Sequence, residues 1–217
     1  EAVVINLDFD GTDWTIGENG EYANDFGGAH TAVAGWSDIN DVNKRANAIA
    51  AMRSKQALQQ AVGLQENPDV PVIACVSRLV GHKGFALVTD VLDKIMELDV
   101  QMVVLGTGDW KFEEAFRQAQ AKYPGRFAAQ LTYSGPLSNQ IYAGADLFLM
   151  PSLSEPCGLS QIIAMRFGTV PIVRETGGLK DTVLPYNEGN DEGNGFTFDR
   201  YQTDLLLDAI NRAKALY

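Results

Sequence analysis

Apolar and polar positions follow a regular pattern from Val70 onward. Short apolar runs rich in Val, Ile and Leu alternate with longer amphipathic stretches, which is typical of repeated β-α units in a parallel sheet. The runs VPVIACV from Val70 and DLFLMP from Asp146 do not alternate internally, as expected of central strands that are buried on both faces. The pattern therefore predicts an α/β fold with a Rossmann-like, doubly wound parallel sheet.

The same pattern predicts the limits of the individual elements. Strands are predicted at Val70–Val76, Gln101–Leu105, Gln130–Tyr133, Leu147–Met150, Val170–Val173 and Gly195–Phe198. Helices are predicted at Gly84–Leu98, Trp110–Tyr123, Leu137–Ala143, Gly158–Phe167 and Thr203–Leu216. This alternation of strands and helices is what a sheet with helical crossovers requires.

The N-terminal part of the chain has a different pattern. Val3–Leu7 is predicted as an edge strand, and residues 8–41, rich in Gly, Asp, Asn and Thr, are predicted as a long loop. Helical spacing returns near residues 42–62, and Gly63 is placed to end that helix. We therefore predict an irregular N-terminal segment, residues 1–69, whose helix packs on a single domain, residues 70–217.

Composition and charge narrow the possible partners. The 217 residues carry a formal net charge of -11, which would repel a phosphate backbone, so nucleic acid is not an expected partner. The apolar runs are of strand length and fall short of the roughly 18–20 residues that span a bilayer, so no membrane partner is expected. The two cysteines, Cys75 and Cys157, lie in unrelated contexts, which suits a reducing, cytoplasmic location.

Polar residues and glycines follow the ends of the predicted strands. Ligands of open parallel sheets bind at the carboxyl ends of the strands, where the strand order reverses. The segments at those ends are Ser77–Gly84, Gly106–Asp109, Tyr133–Gly135, Pro151–Ser160 and Arg174–Leu179. Cations, glycines and a carboxylate thus collect on one rim, which is typical of a site for a phosphate ester.

Arg78 and Lys83 are the candidate cations of this site. Fixed positive charge lowers the barrier to loss of a diphosphate leaving group, because negative charge develops on it as the bond breaks. Arg offers a planar fork and Lys a mobile point charge. The alternative interpretation is that both are solvated surface cations near the start of a helix.

The segment EPCGLS, from Glu155 to Ser160, is the candidate anion site. A helix that begins near Gly158 would point the free N–H groups of Gly158, Leu159 and Ser160 into the crevice. Glu155 could then bind sugar hydroxyls or stabilise developing positive charge. The alternative is an ordinary helix start at which Glu155 is a capping acid.

Other features of the rim are ambiguous. The GTGD at Gly106–Asp109 is not a G-x-G-x-x-G sequence, and it is either a tight turn or a ligand loop. The TGGL at Thr176–Leu179 is either a turn or a backbone platform near phosphates, and Tyr133 could stack on a base or be an ordinary rim aromatic. The two histidines, His30 and His82, have no metal-ligand spacing, so no metal is expected.

Taken in order, the motifs resemble the C-terminal domain of bacterial glycogen synthases and plant starch synthases. These are retaining glycosyltransferases of the GT-B fold (family 5), with two facing Rossmann-like domains. The residues that carry the resemblance are RL-x-x-x-KG at Arg78–Gly84, GTGD at Gly106–Asp109, IYAGADLFLMPS-x-x-EPCGL-x-Q at Ile141–Gln161 and GTVPIVR-x-TGGL-x-DTV at Gly168–Val183. His82 stands where the family usually has Gln, and Ser160 where it usually has Thr.

The resemblance implies a role for each candidate residue. Arg78 and Lys83 would bind the diphosphate of ADP-glucose, and Glu155 would hold the glucosyl unit, so these three form the implied catalytic set. Tyr133 would stack on adenine, and Leu159 and Ser160 would contact phosphate. Further donor-binding candidates are Gly106, Thr107, Cys157, Gly158 and Gly177. The implied reaction transfers glucose to the non-reducing end of an α-1,4-glucan with retention, releases ADP, and needs no cofactor.

The resemblance also implies a missing partner. The N-terminal domain of the family is not in this chain, so we expect the isolated domain to be inactive, in the cytoplasm or, in a plant, the plastid. One alternative is a stand-alone nucleotide-binding module. Another is a GT-B enzyme that uses a UDP-sugar, but such enzymes normally carry a second Glu eight residues after the first, where this chain has Ile163.

Overall fold

A six-stranded parallel sheet forms the centre of the computed structural model, which describes residues 53–190 and 192–217. Its strands are β1 (Val72–Val76), β2 (Gln101–Leu105), β3 (Phe127–Gln130), β4 (Leu147–Met150), β5 (Val170–Arg174) and β6 (Phe196–Phe198). Their order is β3-β2-β1-β4-β5-β6, and every pair is parallel. The order reverses between β1 and β4, so the crevice at the carboxyl ends of these two strands is where a ligand is expected.

Helices connect the strands in the crossovers. They are α1 (53–62, the described part), α2 (Phe85–Asp90), α3 (Leu92–Glu97), α4 (Trp110–Lys122), α5 (Gly135–Gly144), α6 (Ser160–Arg166), α7 (Gly177–Thr182) and α8 (Thr203–Ala215). A 3₁₀ turn at Gly81–Lys83 precedes α2. Within the described residues, no helix combines the length and the apolar content that a bilayer crossing requires.

Side chains of the central strands alternate between two apolar cores. Ile73 and Cys75 of β1 face the core that α2, α3, α4 and α8 cover, whereas Val72 and Ala74 face the core that α1, α5 and α6 cover. Because both sets are apolar, the strand reads as a continuous apolar run in the sequence. The arrangement confirms the predicted α/β fold with a doubly wound parallel sheet.

The structure describes only part of the predicted N-terminal segment, residues 1–69. The predicted edge strand at Val3–Leu7, the loop at 8–41 and residues 42–52 of the helix lie outside the described residues. Residues 53–62 are helical, and Gly63 follows them with a φ of 77°. Leu58 and Val62 of this helix lie in the second core. The division at residues 69 and 70 stays a prediction.

The prediction for the third strand was wrong by three residues. The strand spans Phe127–Gln130 instead of Gln130–Tyr133, because Phe127 and Ala128 supply its buried side chains and pair with Met102 and Val103 of β2. The chain turns directly after Gln130, whose carbonyl accepts a hydrogen bond from the amide of Thr132 (2.9 Å). Tyr133 therefore lies in a loop beyond the strand.

Two predicted helices and one predicted loop also differ from the structure. The helix predicted at Gly84–Leu98 is interrupted at Val91, where the hydroxyl of Thr89 donates to the carbonyls of Phe85 and Ala86, a contact that bends helices. The helix predicted from Gly158 begins at Ser160, because Gly158 has a left-handed φ of 74°. The TGGL segment, predicted as a turn or platform, starts α7.

Candidate functional site

The loops after β1 and β4 meet at the switch point of the sheet. Gly84, with a φ of 82°, ends the 3₁₀ turn after β1, and a Cβ there would lie 1.9 Å from the carbonyl oxygen of Pro151. Only glycine permits this approach. From the other side, the amides of Leu153 and Ser154 donate to the carbonyl of His82 (2.9 and 3.3 Å). His82 thus contributes its backbone to the junction.

An ion pair joins the two loops at this junction. The Nζ of Lys83 lies 2.5 Å from Oε2 of Glu155, and the two side chains are 19% and 9% exposed. The hydroxyl of Ser152 donates to the same carboxylate oxygen at 3.5 Å. The structure therefore brings together Lys83 and Glu155. The family resemblance assigned Lys83 to the diphosphate of the donor and Glu155 to its glucosyl unit.

Two glycines of TGGL pack against the backbone of the loop that carries Glu155. A Cβ at Gly177 would lie 2.2 Å from the carbonyl oxygen of Glu155, and one at Gly178 would lie 1.9 Å from that of Cys157. The amide of Gly178 donates to the carbonyls of Glu155 and Pro156, both at 3.2 Å. The packing accounts for both glycines, and a contact of Gly177 with a substrate stays a prediction.

A cavity of about 280 Å³ opens at the carboxyl ends of β1 and β2. Its lining includes the predicted residues Arg78, Gly106, Thr107 and Tyr133, together with Ser77, Thr132, Ser134, Ser138 and Tyr142. The ring of Tyr133 is 94% exposed on the rim. The guanidinium of Arg78 makes no hydrogen bond or ion pair within the part of the chain that the structure describes, so it is available to a ligand.

The hydroxyl residues of this cavity were not singled out as site residues from the sequence, although Ser77 and Ser134 lie in the predicted rim segments. Ser134 is the N-cap of α5 and accepts a hydrogen bond from the amide of Leu137 (3.3 Å), with Pro136 in the first turn. A Ser followed by Gly-Pro is a recognisable start of a helix. That signal would have moved the predicted helix start from Leu137 to Gly135 and placed its hydroxyls beside the cavity.

Tyr142 connects the cavity to the start of α6. Burial raises the pKa of Tyr142, and a hydrogen bond with the side chain of Ser160 opposes that rise. Since Tyr142 lines the cavity, this contact brings Ser160 close to a lining residue. Leu159, the N-cap of α6, and Cys157 are both exposed. The start of α6 is therefore linked to the cavity through Ser160.

The backbone around Gly158 is held from inside the protein. The Nε2 of Gln161 donates to the carbonyl of Gly158 (3.0 Å) and to the hydroxyl of Thr182 (3.1 Å). A Cβ at Gly158 would lie 2.6 Å from Oε1 of Gln161. The amides of Gly158 and Leu159 donate no hydrogen bond to any described residue. They remain available for the predicted phosphate contacts.

A search for metal ligands gives no candidate. Among residues 53–190 and 192–217, no group of three or more His, Cys, Asp or Glu side chains is placed to hold an ion.

Comparison with known proteins gives the class of this one. A profile of the family described as "Glycosyl transferases group 1" matches residues 57–216, so the chain belongs to that family.

Within the family, the chain is similar to proteins named glycogen synthase. It is 57% identical over 164 residues to the glycogen synthase of Geobacillus thermodenitrificans (strain NG80-2), covering 76% of this chain and 34% of that protein. It is 47% identical over 180 residues to the glycogen synthase of Clostridium novyi (strain NT), covering 83% of this chain and 37% of that protein. The chain therefore spans about a third of the length of these relatives.

Solved structures give the same relationship. The fold matches "Catalytic domain of Starch Synthase IV from Arabidopsis thaliana bound to ADP and acarbose" with a TM-score of 0.71 and 35% identity, over 76% of this chain and 35% of that one. The family resemblance stated from the sequence motifs is confirmed by these matches.

Proposed function

We propose that this chain is the donor-binding domain of a retaining glucosyltransferase, which transfers glucose from ADP-glucose to the non-reducing end of an α-1,4-glucan. The observation that carries the proposal is the Lys83–Glu155 ion pair at the switch point of the sheet. On the same side of the sheet, a cavity with the exposed Tyr133 on its rim opens at the carboxyl ends of β1 and β2. The similarity to glycogen synthases and to a starch synthase bound to ADP supports it.

Each part of the donor has a complementary part of the site. The cavity takes the nucleoside, and the ring of Tyr133 stacks on the base. Arg78, on the wall of the cavity, and Lys83 bind the diphosphate. The glycosidic bond breaks with its electron pair moving to the diphosphate, so these cations stabilise the charge that develops there. Glu155 binds the glucosyl unit beside the bond that breaks.

The proposal includes a second domain and excludes a cofactor. The acceptor glucan binds to a part of the protein that corresponds to the length of the relatives that this chain does not span. The charge of the leaving ADP is met by Arg78 and Lys83 rather than by a metal ion. By itself, this chain therefore binds nucleotide weakly and transfers little or no glucose.

Calorimetric titration of the chain with ADP, ADP-glucose and UDP tests the proposal. We expect ADP and ADP-glucose to bind in the millimolar range or better, and more tightly than UDP. No binding of ADP at millimolar concentration would overturn the proposal. Tighter binding of UDP than of ADP would replace ADP-glucose with a UDP-sugar as the donor.

A further inference from the structure

Arg174 lies at the carboxyl end of β5, next to the loop that carries Glu155. Its Nε donates to the carbonyl of Ser152 (2.8 Å) and its Nη2 to the carbonyl of Leu153 (2.6 Å). Its Nη1 lies 3.4 Å from the carbonyl of Asp199, just after β6. One side chain thus joins the ends of three neighbouring strands.

We propose that Arg174 is a positioning residue, which fixes the loop after β4 so that Glu155 faces the donor; the inference rests on the proposed function. The contacts need a planar fork, because two donors must reach two consecutive carbonyls at once. Arg has that geometry and Lys does not. Within the described residues, no carboxylate forms an ion pair with Arg174, so backbone carbonyls alone receive its hydrogen bonds.

The contacts continue from Arg174 to both members of the ion pair. Ser152, whose carbonyl Arg174 binds, is buried and donates its hydroxyl to Glu155. Leu153, the second carbonyl partner, donates its amide to His82, the residue before Lys83. The loop is therefore held on one side by Arg174 and on the other by the backbone that carries Lys83.

The alternative role for Arg174 is direct binding of the donor phosphates. The sequence places it on the cationic rim, where it could bind phosphate directly as Arg78 is proposed to do. In the structure its Nε and one Nη already donate to the loop at 2.6–2.8 Å. A lysine at this position could still attract phosphate, because it keeps the charge. It could not hold the two carbonyls together, because it lacks the planar fork.

Three variants separate the two roles. Arg174→Lys keeps the charge, Arg174→Met removes it, and Arg200→Met is the matched control, since Arg200 is exposed and lies 3.6 Å from its neighbour Asp199. The first measurement is amide hydrogen exchange by NMR at Leu153 and Ser154 in the loop, with the amides of β2 as a check on the fold. The second is the affinity for ADP by calorimetry.

Positioning predicts faster exchange in both Arg174 variants. We expect the loop amides to exchange about tenfold faster or more in each, because hydrogen bonds to a charged donor are lost. The exchange of the β2 amides should stay the same, and ADP should bind more weakly. Arg200→Met should change none of these measurements. If the loop amides of Arg174→Lys exchange as slowly as those of the unchanged chain, the proposal is overturned. If Arg174→Met also loses protection in β2, its fold is disturbed, and the result for Arg174→Lys alone decides. Failure of the unchanged chain to bind ADP would overturn the proposed function, while loop exchange would still decide the role of Arg174.

Discussion

Two lysine–carboxylate pairs lie at opposite ends of the same sheet. At the amino end of β4, the Nζ of Lys55 lies 2.9 Å from Asp146, and their side chains are 2% and 0% exposed. At the carboxyl end of the same strand, Lys83 and Glu155 lie 2.5 Å apart and remain partly open to solvent. The chemistry of the two pairs is the same, and their surroundings differ.

The surroundings decide what each pair can do. The Nζ of Lys55 also donates to the carbonyl of Pro68 (3.0 Å) and to the hydroxyl of Tyr217 (2.6 Å), and Asp146 accepts from the amide of Val72 (2.7 Å). These contacts use all three donors of Lys55, while Oδ1 of Asp146 is buried without a hydrogen-bond partner among the described residues. Lys83 has Glu155 as its side-chain partner within the described residues, and its remaining donors are free. A fully buried pair whose lysine has no free donor stabilises the fold, whereas a partly exposed pair with free lysine donors can bind a substrate.

Burial also acts on the charge of Asp146. Burial raises its pKa, and Lys55 and the amide of Val72 oppose the rise without cancelling it. The free energy of unfolding therefore depends on Lys55 more than it would on an exposed partner.

The largest expected effect is on stability, at the amino end. Lys55→Met leaves Asp146 buried without its counter-ion, so the free energy of unfolding should fall by about 3–5 kcal/mol. Urea denaturation measures the change. The control is Lys122→Met, which breaks an exposed pair with Asp93 (2.8 Å) and should change the free energy of unfolding far less, because solvent screens an exposed pair. Equal losses in the two variants would show that the buried pair has no special role.

A smaller effect on stability, with a larger effect on binding, is expected at the carboxyl end. Lys83→Met should lower the free energy of unfolding by about 1–2 kcal/mol and weaken the binding of ADP by about tenfold or more, because Lys83 is proposed to contact the diphosphate. Calorimetry and urea denaturation measure the two changes. Lys94→Met, on the surface of α3, is the control. An unchanged affinity for ADP would remove Lys83 from the donor site.

The two cysteines repeat the comparison on a smaller scale. Burial raises the pKa of Cys75 to about 12 from an ordinary value of 9.0, whereas Cys157 is exposed beside the site. Iodoacetamide at pH 8 should therefore modify Cys157 and spare Cys75 in the folded protein, as mass spectrometry of the digested protein would show. Modification of both thiols at equal rates would contradict the buried position of Cys75.

The raised pKa of Cys75 also predicts how stability depends on pH. The folded state keeps this proton when the unfolded state loses it, so the contribution of Cys75 is complete below pH 9 and is lost as the pH rises toward 12. At pH 10 the loss is on the order of 1 kcal/mol. Urea denaturation of the unchanged chain and of Cys75→Ala at pH 8 and 10 isolates it, since the Ala variant lacks this term. Equal pH dependence in both would contradict the assignment.

Strands whose ends carry a local signal were predictable from the sequence. The limits of β2 and β4 are as predicted, because Gln101–Leu105 ends at Gly106 and Leu147–Met150 ends at Pro151. The third strand was misplaced because Leu131 and Tyr133 continue its apolar pattern, although the chain has already turned. Pattern alone does not distinguish a buried apolar side chain from an exposed one.

The sequence predicted which residues form the candidate site, but it did not predict which of them contact each other. The motifs identified Arg78, Lys83, Tyr133 and Glu155, and the structure places Arg78 and Tyr133 in the cavity lining and joins Lys83 to Glu155. The direct pairing of Lys83 with Glu155 depends on how two loops pack, 72 residues apart in the chain. The buried Lys55 gave no signal, because lysine is normally exposed and its partners come from distant segments.

An ADP titration of the ¹⁵N-labelled chain, followed by NMR, shows which end of the sheet binds the nucleotide. We expect the largest chemical-shift changes at the carboxyl end of the sheet, at the amides of Gly106, Thr107, Leu159 and Ser160. The amide signals of Lys55 and Asp146 should not move. Lys83→Met should weaken the titration, and Lys94→Met should not. Largest shifts at the amino end, or no shifts at millimolar ADP, would contradict the assignment of the donor site.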